Sequence, residues 1–225
     1  MPRKSRTSPR REESLTRDRI IDAAVELLDC SGEGGLTFRA LSERLATGAG
    51  AIYWHIDNKE DLVTAACEAI VARTLETTVE GANPKAAIRA LALGVFDAID
   101  AHPWVGSALT RAMGQQPILR IVERIGQQVR QLGGSGDQQW AAASALLHYI
   151  LGVSGQNAAN TQYARTHGLD RSEFLEAMSN TWSQLDPVEY PFARSVTHQL
   201  RTHDDRADYL AGIDLILAGI DAHRA

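Results

Sequence analysis

Residues 36–62 read Leu36-Thr37-Phe38-Arg39-Ala40-Leu41-Ser42-Glu43-Arg44-Leu45, then Ala46-Thr47-Gly48-Ala49-Gly50-Ala51, then Ile52-Tyr53-Trp54-His55-Ile56-Asp57-Asn58-Lys59-Glu60-Asp61-Leu62. Thr37 can cap a short helix that presents Phe38, Leu41 and Leu45 at helical spacing. A break at Ala46-Thr47-Gly48 precedes a second short helix ending in Ile52–Ile56. Asp57 and Glu60, three apart, read as a capping box opening the next helix, with Leu62, Ala66 and Ile70 on its inner face. Upstream, Thr16 can cap a helix whose apolar positions are Ile20, Ile21, Ala24, Leu27 and Leu28, and which stops at Gly32, Gly34 and Gly35. Three short helices with a tight break between the second and third describe a helix-turn-helix unit. In such units the third helix enters the DNA major groove and the second braces it across the backbone.

The joint order of Leu36–Leu45, Ala51–Ile56 and Asn58–Leu62 resembles the tetracycline-repressor (TetR) family over about residues 17 to 70. That resemblance implies that Thr37, Tyr53, His55 and Lys59 hold phosphates and that Arg39 reaches a base edge. The side-chain chemistry agrees. A hydroxyl, a phenol and an ammonium suit phosphate oxygens, and a guanidinium can bind guanine O6 and N7 through two bonds. Plainer roles stay open for each: Tyr53 and Trp54 as core aromatics, His55 as a half-buried histidine, Lys59 as a surface lysine, and Arg39 as the i, i+4 partner of Glu43. The first turn of the presumed recognition helix, Gly48-Ala49-Gly50-Ala51, departs from the family's larger or hydroxyl-bearing residues. Its two glycines weaken a helix by about 1 kcal/mol each relative to alanine. They bring no hydrogen bonds to bases, whereas alanine methyls can touch a thymine methyl. Base readout is therefore expected from Arg39, Thr47 and Trp54, with Gly48, Ala49 and Ala51 lying close along the groove.

Further out, the pattern predicts an all-α chain in three parts: a disordered basic arm over 1–14, the helix-turn-helix domain over 15–62, and an effector-binding and dimerisation domain over 63–225. Asn83-Pro84 starts a helix to about Ala101. His102-Pro103 breaks the chain, Pro117 opens a helix to about Leu132, and Gly133–Gly136 reads as a flexible loop. Gln138 to about Thr166 is expected as one helix of roughly 40 Å. Asp170 with Glu173 forms a second capping box, a helix follows from Phe192, and Asp204-Asp205 opens the last. On that last helix Leu210, Ile213, Leu217 and Ile220 follow a 3-4-3 spacing suited to packing on another helix. Residues 141–155 mix small Ala145 and Gly152 with large apolar groups. These two helices are expected to form a four-helix bundle across a twofold axis, which a palindromic operator also requires. Phe96, Trp104, Met113, His148, Asn157 and Trp182 are the candidates for an effector pocket, being aromatic, soft or polar groups on apolar helices. The helix from about Lys59 to Val79 is the expected lever between the two parts.

Charge needs its location to be read. The chain carries a net −5 with a pI near 5.8, below the usual range of DNA-binding domains. Arg3, Lys4, Arg6, Arg10 and Arg11 form a purely basic tail, either an arm that follows DNA or a solvated end. Residues 12–62 hold only Arg17, Arg19, Arg39, Arg44 and Lys59 as cations, among a larger number of acids. An enzyme is disfavoured, because no Gly-x-Ser-x-Gly, HExxH, cysteine cluster or phosphate-cradling glycine loop occurs. No cofactor and no metal ligand set is expected. Nor does any run approach the roughly 20 apolar residues of a membrane span, and the first fifteen residues lack a signal-peptide core. The expected setting is cytoplasmic, with Cys30 and Cys67 both as small core residues. Expected partners are double-stranded operator DNA, a small-molecule effector and a second copy of the chain; family likeness implies a repressor.

Overall fold

The computed structural model describes residues 15–76, 83–111 and 114–222, and every regular element in them is helical. The basic arm and Met113 lie outside the described residues. The chain divides into two compact units, Met1–Ala66 and Cys67–Ala225.

The first unit comprises α1 (Arg17–Gly35), α2 (Phe38–Arg44), α3 (Ala49–Tyr53) and the start of α4 (Lys59–Glu76). Ile20, Ala24, Leu28, Leu36, Leu41, Ile52, Ile56 and Leu62 are buried and form its core. Each fully buried Ile or Leu contributes about 1.5–3 kcal/mol, which anchors helices too short to hold themselves in water. Thr16 and Thr37 act as caps, accepting from the amides of Arg19 at 3.3 Å and Ala40 at 3.0 Å. Helix α1 ends within the expected glycine cluster: its backbone leaves helical geometry at Gly32, with φ 62°, and its last turn closes at Gly35. Two expectations need correction. Asn58, not Asp57, caps α4: its Oδ1 accepts from the Asp61 amide at 2.9 Å while its Nδ2 donates to the Asp61 carboxylate at 2.7 Å. A carboxamide can do both at once and an aspartate cannot. Cys30 is exposed, because it shares the outer face of α1 with Glu26; only Cys67 is buried.

The second unit adds α5 (Pro84–Ala101), α6 (Pro103–Arg111), α7 (Gln116–Leu132), α8 (Gly136–Thr166), α9 (Arg171–Ser183), α10 (Pro191–Ser195), α11 (Thr197–Arg201) and α12 (Asp205–Ala222). α8 lies at its centre, with α5, α6, α7 and α12 packed against it. Its start is sharper than expected: Ser135 and Gln138 cap one another, which draws Gly136 out of the loop and into the helix. The segment from Phe192 is two short helices separated at Val196. Gly212 is required by a close approach, since a Cβ there would fall 1.9 Å from the Tyr149 hydroxyl.

The expected seam on α12 is corrected at two of its four positions. Ile213 and Leu217 are 0% and 1% exposed in the single chain, so both belong to its own core; Leu210 and Ile220 are half-buried. A 3-4-3 spacing records that a helix faces helices, not whose helices they are. Exposed positions on α12 include Ala211, Asp214, Leu215 and Ala218, and those on α8 include Ala141, Ala145, His148, Gly152 and Gln156.

Candidate nucleic-acid interface

α2 and α3 meet at a tight turn. Ala46 adopts φ 51°, and the amides of Ala46 and Thr47 bond back to the carbonyls of Glu43 at 3.3 Å and Ser42 at 3.0 Å. This closes α2 within one residue of its end and starts α3 at Ala49. Leu41 and Ile52, both buried, fix the two helices on the core, which leaves their remaining faces to solvent.

Those faces carry the residues singled out from the sequence. Trp54 is 89% exposed and Tyr53 52%, so neither is a core aromatic. Tyr53 is steadied by Phe38, whose ring lies 4.4 Å away and almost parallel at 7°. His55 is exposed, not half-buried. Thr37 is exposed too; its Oγ accepts the cap bond, so its proton remains available to an acceptor. Arg39 donates through Nε to Glu43 Oε1 at 2.9 Å, the i, i+4 pairing that its spacing allows. The Glu43 hydrogen bond first, then its charge, raises the Arg39 guanidinium above its ordinary value. Lys59 donates to the main-chain carbonyl of Glu33, tying the start of α4 to the last turn of α1. Arg44 is paired with Glu26, its Nε at 2.7 Å.

The opening of α3 is bare. Gly48, Ala49 and Gly50 are exposed, Ala51 and Thr47 half-buried. A Cβ built on Gly48 or Gly50 would meet nothing within 4 Å, so no neighbour within the chain requires either glycine.

In the second unit Phe96 is buried with its ring tilted against Tyr209 at 4.8 Å, and Trp104 is buried edge-on to His102 at 6.3 Å. Asn157 is buried on α8; its Nδ2 donates to Asp100 at 3.2 Å and its Oδ1 has no hydrogen-bond partner. Trp182 is half-buried on α9. His148 departs from this group, being exposed on the outward face of α8. A cavity of about 410 Å³ lies between α4 and α5, lined by Arg73, Thr74, Gly94, Asp97 and His102 among others, and includes none of the six candidates. Among the described residues no group of His, Cys, Asp and Glu is placed to hold a metal, and no helix is long and apolar enough to cross a membrane.

Comparison with known proteins accords with this architecture. Residues 20–66 match the bacterial regulatory proteins of the tetR family, and residues 81–224 match the tetracyclin repressor-like C-terminal domain. A solved transcriptional regulator, a TetR from Streptomyces coelicolor, is 50% identical with a TM-score of 0.83, covering 93% of this chain and 99% of that one. The class D tetracycline repressor of Escherichia coli is 24% identical over 92% of this chain and 89% of its own length. An HTH-type transcriptional regulator of Saccharopolyspora erythraea is 30% identical over 67% of this chain and 62% of that protein, so this match spans less than two thirds of the relative. ActR of Streptomyces coelicolor, solved in complex with (S)-DNPA, shares the fold at 18% identity and a TM-score of 0.74, over 93% of this chain and 98% of that one. Matched in both of its units, the chain belongs to the tetR family of bacterial regulatory proteins, which are transcriptional regulators and not enzymes.

Proposed function

We propose that this regulator is a repressor that binds a palindromic DNA operator as a homodimer and lets go when a small molecule enters its second unit. The observation that carries the reading is the exposed group Thr37, Arg39, Tyr53, Trp54 and His55, gathered on α2, α3 and the turn that follows. A phenol, a hydroxyl, an imidazole and a guanidinium held on a rigid scaffold suit a phosphate backbone with one base contact. Lys59 adds a cation beside them, and the arm from Arg3 to Arg11 would follow the duplex and strengthen binding at low salt. The outward stripe of small residues on α8 and α12 suits a second copy, because small side chains let helices approach closely. Buried Phe96, Trp104 and Asn157, two aromatic groups and one polar group on apolar helices, are the side chains that would meet a small-molecule effector. α4 contributes residues to both units, so a ligand that shifts it would change the separation of two recognition helices matched to half-sites about 34–36 Å apart. Such a regulator works where the DNA is, in the cytoplasm.

Selection of duplexes from a random pool by the full-length protein, followed by sedimentation of the complex, tests this. The expected result is an inverted repeat bound by two chains. Recovery of no preferred duplex would reduce the chain to an effector-binding bundle without an operator, the reading that the bare first turn of α3 would then favour.

A further inference from the structure

The Arg39–Glu43 pair is too exposed to matter for folding: the two side chains are 88% and 66% accessible, and ion pairs in such surroundings contribute little to stability. Its geometry is informative instead. Glu43 takes the Nε–H of Arg39 at 2.9 Å. A guanidinium has a second donor edge, the Nη1–Nη2 fork, and this is an edge that can engage guanine O6 and N7 together. Beside it, Gly48, Ala49, Gly50 and Ala51 present no side-chain hydrogen-bonding group at all. Discrimination by hydrogen bonds therefore falls heavily on Arg39, a long side chain that loses rotamer freedom whenever it is fixed on a base. A carboxylate one helical turn along, gripping Nε, removes part of that loss before DNA arrives.

We propose that Glu43 is the positioning residue of base readout: it holds Arg39 by Nε and presents the opposite edge of the guanidinium to a guanine. This rests on the DNA-binding reading above. It carries a distinctive consequence, because a carboxylate facing phosphates repels every duplex alike. Glu43 thus lowers affinity for arbitrary DNA while sharpening the choice of one base pair, a combination that no purely structural role produces.

The test uses the full-length protein, its selected duplex, the same duplex with each base pair changed in turn, and a random duplex as competitor. Glu43→Ala is expected to bind the random duplex about two- to fivefold more tightly and to lose about tenfold in preference for a single G·C pair. Glu43→Gln keeps an oxygen that can accept from Nε. It should recover most of that preference yet retain the higher affinity for random DNA. Arg39→Ala should relax the same base pair. Unchanged preference in Glu43→Ala would overturn the proposal, and so would an Arg39→Ala variant that weakens selected and random DNA equally. A wild-type protein that retains no duplex would sink both this proposal and the DNA-binding reading; the first two results would sink this proposal alone.

Discussion

At the scale of single residues, the least comfortable backbone position among the described residues is Ala46, with φ 51° in the turn between α2 and α3. A side chain in the left-handed region costs about 1–2 kcal/mol, and glycine gives back part of this through its freer unfolded chain. Ala46→Gly should therefore raise stability by about 0.5–1 kcal/mol, read as a higher urea midpoint at unchanged slope. The two cysteines make a second contrast. Burial, then the charge of Glu68, pushes the Cys67 thiol up to about 12, while Cys30 is exposed. An alkylating reagent applied at pH 8 should modify Cys30 and spare Cys67 until the protein unfolds. Folded Cys67 keeps a proton that the unfolded chain releases from about pH 8.5. Its contribution to stability is thus complete below that pH and is lost as pH climbs towards about 12; a melting series across that range checks the sign. The order of residues beside α3 singled out Tyr53, Trp54 and His55 but left open whether their rings lie in the core; their exposure comes from the fold. Nor were partners legible there: Lys59 meets a carbonyl 26 residues away, and Tyr53 stacks on a ring from another helix. Periodicity carries no information about such neighbours.

At the scale of elements, three ion pairs join α5 to α12. Lys85 meets Asp221, Arg89 meets Asp214 at 2.5 Å, and Arg206 meets Asp97. The cations lie early on α5 and the acids late on α12, while at the other end the signs are exchanged. Only an antiparallel pairing matches them; a parallel one would set Lys85 and Arg89 near Arg206. Each pair is half exposed and contributes about 0.2–1 kcal/mol, so their role is to fix direction and register more than to stabilise. Asp97→Arg alone should lower stability by about 1 kcal/mol through like-charge contact with Arg206, and Asp97→Arg with Arg206→Asp should restore most of it, a coupling that a double-mutant cycle measures. Caps made most of these helices readable, because Thr16, Thr37, Asn83 and Asp170 signal their ends locally. The misreadings arose where two cap candidates stand side by side, at Asp57-Asn58, and where a short helix is set by tertiary support. Arg194 is the example: it donates 2.6 Å bonds to the carbonyls of Ser183 and Leu185, shaping α9 to α11 from outside the local sequence.

At the scale of the whole molecule, burial separates the two faces of α12 and gives each a different prediction. Leu217 is 1% exposed and Leu215 75%. Leu217→Arg would bury an unpaired charge, which costs several kcal/mol, and should unfold the second unit. Leu215→Arg should leave the melting temperature of the isolated chain almost unchanged, yet shift sedimentation from dimer to monomer and weaken operator binding. A dimeric Leu215→Arg protein would place the contact between copies on another face. The sequence could show that α12 is apolar nearly all round, but not which side its own fold uses, since that depends on helices far away in the chain.

Trp54, set almost wholly in water beside the bare turn of α3, gives the molecule a light source at the surface where a duplex would sit. An indole in water emits at longer wavelength than one in a protein interior, such as Trp104, and dims when a nucleobase comes against it. Trp140 is the other strongly exposed indole among the described residues, at 70%, and Trp140→Phe would remove its background. In that protein, loss of the red-edge emission on adding duplex reports occupancy of the recognition surface in real time, without a label. Trp54→Phe should abolish the signal while the emission of buried Trp104 and half-buried Trp182 stays as an internal standard.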